Sequence, residues 1–196
     1  IKVLVILFYE YEKNMTVLSL VKILQLFAHV LFGLFLVITF PVITKKMRIQ
    51  FIKSWCLFLL RILKVKLKIS GINLRLLRNN FFVANHISWL DIIVINSIMP
   101  VVFVAKSSVK SWPVFGLMAR LTNTIFLDRS SKTSMLRAYL QIKETLNDSS
   151  IFIFPEGTST VGKHVEPFHS NFFQIPVDLK KSTYPVSIEY FKDNQF

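Results

Sequence analysis

Residues 23–44, ILQLFAHVLFGLFLVITFPVIT, run for 22 positions without a formal charge at neutral pH. About 20 apolar residues suffice for a helix to cross a bilayer, so this run reads as a membrane helix. No small-residue cleavage site follows it, which sets aside a secretory signal peptide. Lys45, Lys46 and Arg48 come directly after and put that end on the cytoplasmic side. Pro41 kinks or ends the helix. His29 reads as a tolerated polar group within it rather than as a ligand.

Charge reinforces the membrane reading. The net charge is +13, a balance that suits an anionic partner. Between Lys13 and Leu90 there is no Asp or Glu, whereas Lys13, Lys22, Lys45, Lys46, Arg48, Lys53, Arg61, Lys64, Lys66, Lys68, Arg75 and Arg78 all carry positive charge. A cation close to an anionic lipid surface contributes about 1 kcal/mol. Because the basic stretch is also greasy, in a chain that is 53% hydrophobic with 19 Phe, acidic head groups are a better partner than nucleic acid. A nucleic-acid binder would interleave stacking aromatics and cations on a soluble fold.

One cysteine, Cys56, excludes an internal disulfide and fits a reducing setting. It sits among apolar residues without a nearby His and reads as a buried or lipid-facing thiol, not a nucleophile. The sequence opens on Ile1, so Met15 is a candidate start.

From Met47 to Leu63 the apolar residues Met47, Phe51, Trp55, Leu59 and Ile62 recur at helical spacing among Arg48, Lys53 and Arg61. Such a helix either lies in the head-group region or faces a core. The pattern then changes. Val65-Lys66-Leu67-Lys68-Ile69 alternates with period two and predicts a half-exposed strand, closed by Ser70-Gly71. Phe81–Ala84, Val101–Ala105, Thr124–Leu127, Ile151–Phe154 and Tyr184–Ile188 read as strands. Trp89–Ile98, Val114–Leu121 and Ser134–Leu146 read as helices. Strands alternating with helices predict an α/β fold, a mostly parallel sheet flanked by helices, preceded by a membrane-associated helical segment. Two parts are expected: residues 1–64 as anchor, and residues 65–196 as one domain.

The chemistry concentrates in two stretches. In Phe81-Phe82-Val83-Ala84-Asn85-His86-Ile87-Ser88-Trp89-Leu90-Asp91, a strand delivers Asn85 and His86 at its carboxyl end, where active sites of open α/β sheets lie. Ser88 is a candidate N-cap for the helix that follows. His86 and Asp91 can meet only if His86 stands in the loop, since positions i and i+5 of a helix diverge by about 140°. A carboxylate on one imidazole nitrogen fixes the tautomer and frees the other to take a proton from a hydroxyl. Taken alone, the spacing fits a capping or packing pair as well. In Ile151-Phe152-Ile153-Phe154-Pro155-Glu156-Gly157-Thr158-Ser159 a strand again enters a tight turn. There Gly157 can take positive φ, and backbone N–H groups with the Thr158 and Ser159 hydroxyls can meet an oxyanion or polar head group. A plain Pro-Glu-Gly turn is the other reading.

Together these stretches resemble the glycerolipid acyltransferase family, which includes the 1-acylglycerol-3-phosphate acyltransferases. Asn85, His86 and Asp91 match its Asn-His-x4-Asp motif, and Phe154 through Thr158 match Phe-Pro-Glu-Gly-Thr. Lys106, Pro113, Gly116 and Arg129 resemble a looser block between them, and Pro185-Val186 a last one. The resemblance spans roughly residues 65–190, with four motifs in order.

What it implies is O-acyl transfer from acyl-CoA or acyl-carrier protein to a lysolipid hydroxyl, foremost 1-acylglycerol-3-phosphate, giving phosphatidate. It implies no cofactor and no metal. His86 is the implied general base and Asp91 its partner. Lys106 and Arg129 are implied to hold an anionic head group, with Glu156, Gly157, Thr158 and Ser159 around it. The setting implied is the cytoplasmic face of a membrane, as in a bacterial inner membrane. Two features depart from the pattern. Ser159 stands where phosphatidate-forming members commonly carry Arg, which keeps lyso-ornithine lipid open as acceptor. Family chains also usually continue past the last motif, so a truncated or compact form is expected. A membrane lipid-binding relative without catalysis is the rival of another class, and the intact His86/Asp91 pair speaks against it.

Overall fold

Phe81-Phe82-Val83-Ala84 and Ile151-Phe152-Ile153 are apolar at every position, as strands buried on both faces must be. The computed structural model, which describes residues 3–9, 17–71 and 79–192, places them side by side at the centre of a sheet. Met15, Lys13, Arg75 and Arg78 lie outside the described residues. In chain order the elements are β1 (Val3–Tyr9), α1 (Val17–Ile38), α2 (Lys45–Ile62), β2 (Val65–Ser70), β3 (Phe81–Ala84), α3 (Leu90–Ile98) and β4 (Val102–Lys106). There follow α4 (Phe115–Leu121), β5 (Ile125–Leu127), α5 (Lys132–Thr145), β6 (Ile151–Ile153), α6 (Asn171–Asp178) and β7 (Thr183–Lys192).

The seven strands order as β2-β1-β7-β3-β6-β4-β5. Every neighbouring pair is parallel except β1 with β2. Alternation along β3 and β6 divides the core. Phe82, Ala84, Phe152 and Phe154 pack with Trp55, Leu59 and Leu60 of α2 and Val94, Ile95 and Ile98 of α3. Phe81, Val83, Ile151 and Ile153 face the other way, toward Ala138 and Ile142 of α5 and Phe172 of α6. The fold is α/β, with a parallel sheet flanked by helices and an apolar helix near the N-terminus.

The sequence reading gave β1 and α6 no place. Val3–Tyr9 lies between β2 and β7, so the sheet draws a strand from upstream of both N-terminal helices. Trp89 takes the cap position of α3, which begins at Leu90, so Ser88 is not the N-cap; its hydroxyl still accepts the Leu90 N–H at 3.2 Å. The stripe expected on α2 is core-facing in its second half: Trp55 and Leu59 are buried, whereas Met47 is exposed.

Helix α1 with the 3-10 turn that follows it is long and apolar enough to cross a membrane, over Leu20–Val42. Among the residues of this helix whose burial is described, 20–38, His29, Gly33 and Val37, at steps of four, are the buried ones. A Cβ at Gly33 would collide with the Trp55 indole, so glycine lets α2 approach there. Two reciprocal bonds lock the contact: Trp55 Nε1–H donates to the His29 carbonyl, and His29 Nε2 meets the Trp55 carbonyl, both at 3.0 Å. His29 is therefore a structural polar group. The outer face of α1 exposes Leu20, Ile23, Leu24, Phe27, Phe32 and Phe35, an apolar patch of the kind that marks a membrane or partner surface.

Candidate active site

The end of β3 is held in place before any chemistry begins. Asn85 Nδ2 donates to the Ile188 carbonyl at 2.9 Å and its Oδ1 accepts the Ile188 N–H at 2.8 Å, which clamps the strand exit to β7. His86 follows in the loop between β3 and α3, where the sequence required it. Its Nδ1 lies 2.8 Å from Asp91 Oδ2. The ring stacks on Phe154, with centroids 4.0 Å apart. Its side chain is 18% exposed, whereas that of Asp91 is fully buried.

Asp91 Oδ2 also accepts the backbone N–H groups of Ile87 (2.7 Å) and Ser88 (3.0 Å), and Oδ1 accepts the Tyr190 hydroxyl at 2.5 Å. A buried carboxylate is tolerable only with its lone pairs filled in this way. Burial, and then the Asp91 charge, push the Tyr190 phenol well above the usual tyrosine range. With Nδ1 turned to the carboxylate, a neutral His86 carries its proton there and offers the Nε2 lone pair outward.

The turn after β6 supports the same histidine from behind. Glu156 is buried, and both its oxygens are taken by backbone donors: Oε1 by the His86 N–H at 2.6 Å, Oε2 by the Glu166 N–H at 2.8 Å. Thr160 N–H donates to the His86 carbonyl at 2.9 Å. Gly157 has φ +72°, and a Cβ there would strike the Arg129 guanidinium. That guanidinium also sits over the Phe172 ring, 4.9 Å from its centroid, and among the described residues it has no carboxylate partner. Asp128, the nearest acid in sequence, instead accepts from the Ser130 hydroxyl and N–H, which hold its carboxyl below the usual range.

Lys106 pairs in register with Leu127, two residues before Arg129, so both cations leave the sheet at the carboxyl edge that carries His86. Both are exposed. Thr158 and Ser159 are exposed too, and line an open cleft of about 510 Å³ with Glu156, Thr160, His164 and His169. All eight residues singled out in the sequence thus fall at one edge of the sheet. Among the described residues, no group of three or more His, Cys, Asp or Glu side chains is placed to hold a metal. Cys56 is buried and its thiol is pushed up to about 12 by burial, which leaves it inert as a nucleophile. Sequence reasoning missed the parts played by Tyr190 and Phe154. The signal for Tyr190 was faint: it continues the period-two alternation Val186, Ile188.

The family model described as Acyltransferase matches residues 66–189. The chain belongs to this family. A lyso-ornithine lipid O-acyltransferase of Rhizobium meliloti is 45% identical over 91 residues, covering 46% of this chain and 31% of that protein. The lyso-ornithine lipid O-acyltransferase of Pseudomonas aeruginosa is 30% identical over 147 residues, with 75% and 56% covered. A 1-acyl-sn-glycerol-3-phosphate acyltransferase of Neisseria gonorrhoeae is 33% identical over 111 residues, with 56% and 44% covered. The chain thus spans about half or less of each of these relatives. The crystal structure of the 1-acyl-sn-glycerophosphate acyltransferase of Thermotoga maritima shares the fold: TM-score 0.66 at 19% identity, covering 89% of this chain and 81% of that one.

Proposed function

We propose that this acyltransferase moves a fatty acyl group from a thioester, acyl-CoA or acyl-carrier protein, to the hydroxyl of a lysolipid at a membrane surface. One observation carries the reading: Asp91 fixes His86 through Nδ1 at the carboxyl edge of the sheet, which leaves Nε2 directed away from the protein's own carboxylate. The substrate oxygen attacks the thioester carbon as Nε2 takes its proton. The carbon–sulfur bond then breaks, and the imidazolium returns the proton to the thiolate. No enzyme nucleophile and no metal is needed. Asp91, with its four donors, stabilises the imidazolium without accepting its proton.

For the acceptor, Lys106 and Arg129 favour an anionic head group, and lysophosphatidate is the reading they support. Arg129 brings fork geometry and Lys106 a point charge. Lyso-ornithine lipid is the second reading, favoured by Ser159 after Thr158 and by the names of two of the relatives. The exposed apolar face of α1 and the basic residues after it support attachment to an anionic membrane, with the site on the cytoplasmic side. The test is to incubate purified protein in detergent with labelled acyl-CoA or acyl-carrier protein and a panel of lysolipids. Acylated lysophosphatidate or lyso-ornithine lipid, lost in His86→Ala, is expected. No acylated product from any acceptor would sink the reading.

A further inference from the structure

Of the two oxygens of Asp91, Oδ2 serves His86, Ile87 and Ser88, all within the same loop. Oδ1 has a single donor among the described residues, the Tyr190 hydroxyl, which arrives from the neighbouring strand β7 on the face that α3 covers. The register explains the meeting. Val186 pairs with Ala84, the last residue of β3, so Ile188 and Tyr190 continue past the end of that strand. Ile188 is seized there by Asn85, and Tyr190 lands on the helix that starts beyond it.

We propose that Tyr190 is a positioning residue for the His86–Asp91 pair, acting through Asp91 both to fix the carboxylate plane and to set how strongly it holds the imidazolium. The inference rests on the acyl-transfer reading for its kinetic consequences alone. A carboxylate turns about a broad, two-fold torsion, and a short O–H···O⁻ bond to Oδ1 pins that rotation while drawing charge away from Oδ2. Without the hydroxyl, Oδ1 is buried and unpaired, the carboxylate is held through Oδ2 alone, and more charge falls on the oxygen facing Nδ1. His86 then binds its proton more tightly and is a competent base only at higher pH. The titratable groups bonded to His86 are Asp91 from α3 and Glu156, which meets its backbone N–H from the turn after β6, and Tyr190 from β7 stands behind Asp91. The Tyr190 hydroxyl also bonds the Ser88 side chain, so its removal changes that contact and the one to Asp91 while leaving those of Asp91 Oδ2 and Glu156 to the His86 loop in place.

The decisive variant is Tyr190→Phe, which keeps the ring. Its kcat is expected to fall about tenfold, the rate equivalent of one hydrogen bond to a charged group, with KM for donor and acceptor unchanged. The acid limb of the rate profile should move up by about half a pH unit, the sign expected when Asp91 is left more negative. The His86 ring titration, followed by NMR without substrate, should move the same way. Replacing Tyr190 with 3-fluorotyrosine, a stronger donor in the same shape, should move both downward, and this substitution retains the phenol if Tyr190→Phe does not fold. Wild-type kcat together with an unmoved His86 titration would overturn the proposal. If the unaltered protein acylates no lysolipid while the NMR shifts appear as described, the acyl-transfer reading fails and the positioning role of Tyr190 stands.

Discussion

Glu156 follows His86 by 70 residues, yet its Oε1 accepts the His86 backbone N–H at 2.6 Å. The two turns at this sheet edge are therefore one structure: the second carries the first on a buried carboxylate. Glu156→Gln turns one of those acceptors into an amide donor facing another N–H. A lost charge-assisted bond with a stranded donor costs about 1–3 kcal/mol, which at about 2–4 °C per kcal/mol is a Tm lower by roughly 2–12 °C. Differential scanning calorimetry checks this, and an unchanged Tm would show that the contact contributes nothing to stability.

His86→Ala should lower turnover by roughly 10²–10⁴-fold, the usual cost of a lost general base, without altering far-UV circular dichroism. Asp91→Asn should also lose much of the rate, because an amide stabilises the wrong tautomer. Near wild-type turnover in His86→Ala would end the mechanism proposed above.

Arg129→Ala should raise the apparent KM for lysophosphatidate far more than that for the acyl donor. Gly157→Ala should share the phenotype, since its methyl group would displace the guanidinium and strain a backbone at φ +72°. Equal movement of donor and acceptor constants would remove Arg129 from the head-group site and strengthen lyso-ornithine lipid as acceptor.

Attachment is best tested on the bare face of α1, because deleting residues through Thr44 would also remove β1 from the sheet. Leu24→Gln, Phe27→Gln and Phe35→Gln together touch only exposed positions. They should shift the protein toward the supernatant in sedimentation with anionic vesicles, and high salt should release more of it by screening the remaining basic residues. Full retention on vesicles in high salt would place the anchor elsewhere.

Tyr190 also has a signature in alkali. Its folded pKa lies above the unfolded value, which is about 10 for tyrosine, so its contribution to stability is complete below that pH and is lost as pH climbs from there toward the folded value. Ultraviolet titration should show fewer tyrosines ionising near pH 10 in the folded protein than in the unfolded chain, and Tyr190→Phe should narrow that difference by one. An unaltered difference in the variant would assign the protected phenol to another residue.

Much of the site was legible because its residues stand directly after apolar runs that can only be buried strands. Asn85 and His86 follow Phe81–Ala84, and Glu156 and Gly157 follow Ile151–Phe154, so strand direction alone brought them to one edge. Tyr190 was not legible, since its meeting with Asp91 depends on how far β7 overshoots β3, and register is set by pairing rather than by local pattern. Trp55 was read as a head-group aromatic as readily as a core one; only Gly33, on another helix, decides between them. Val3–Tyr9 lies ahead of a membrane-length helix, and nothing in its own residues names β7 as a neighbour.

That first strand constrains how the sheet can close. β1 can pair with β2 as soon as α1 and α2 have emerged, since Tyr9 stands opposite Val65. Its other edge waits for β7, the last strand described, which must slide between β1 and β3 to complete the sheet. Until then two strand edges stand open, a state prone to mispairing. An apolar helix docked on a bilayer would hold those edges at a fixed distance from other chains, so attachment through α1, if it forms first, would also guard the unfinished sheet.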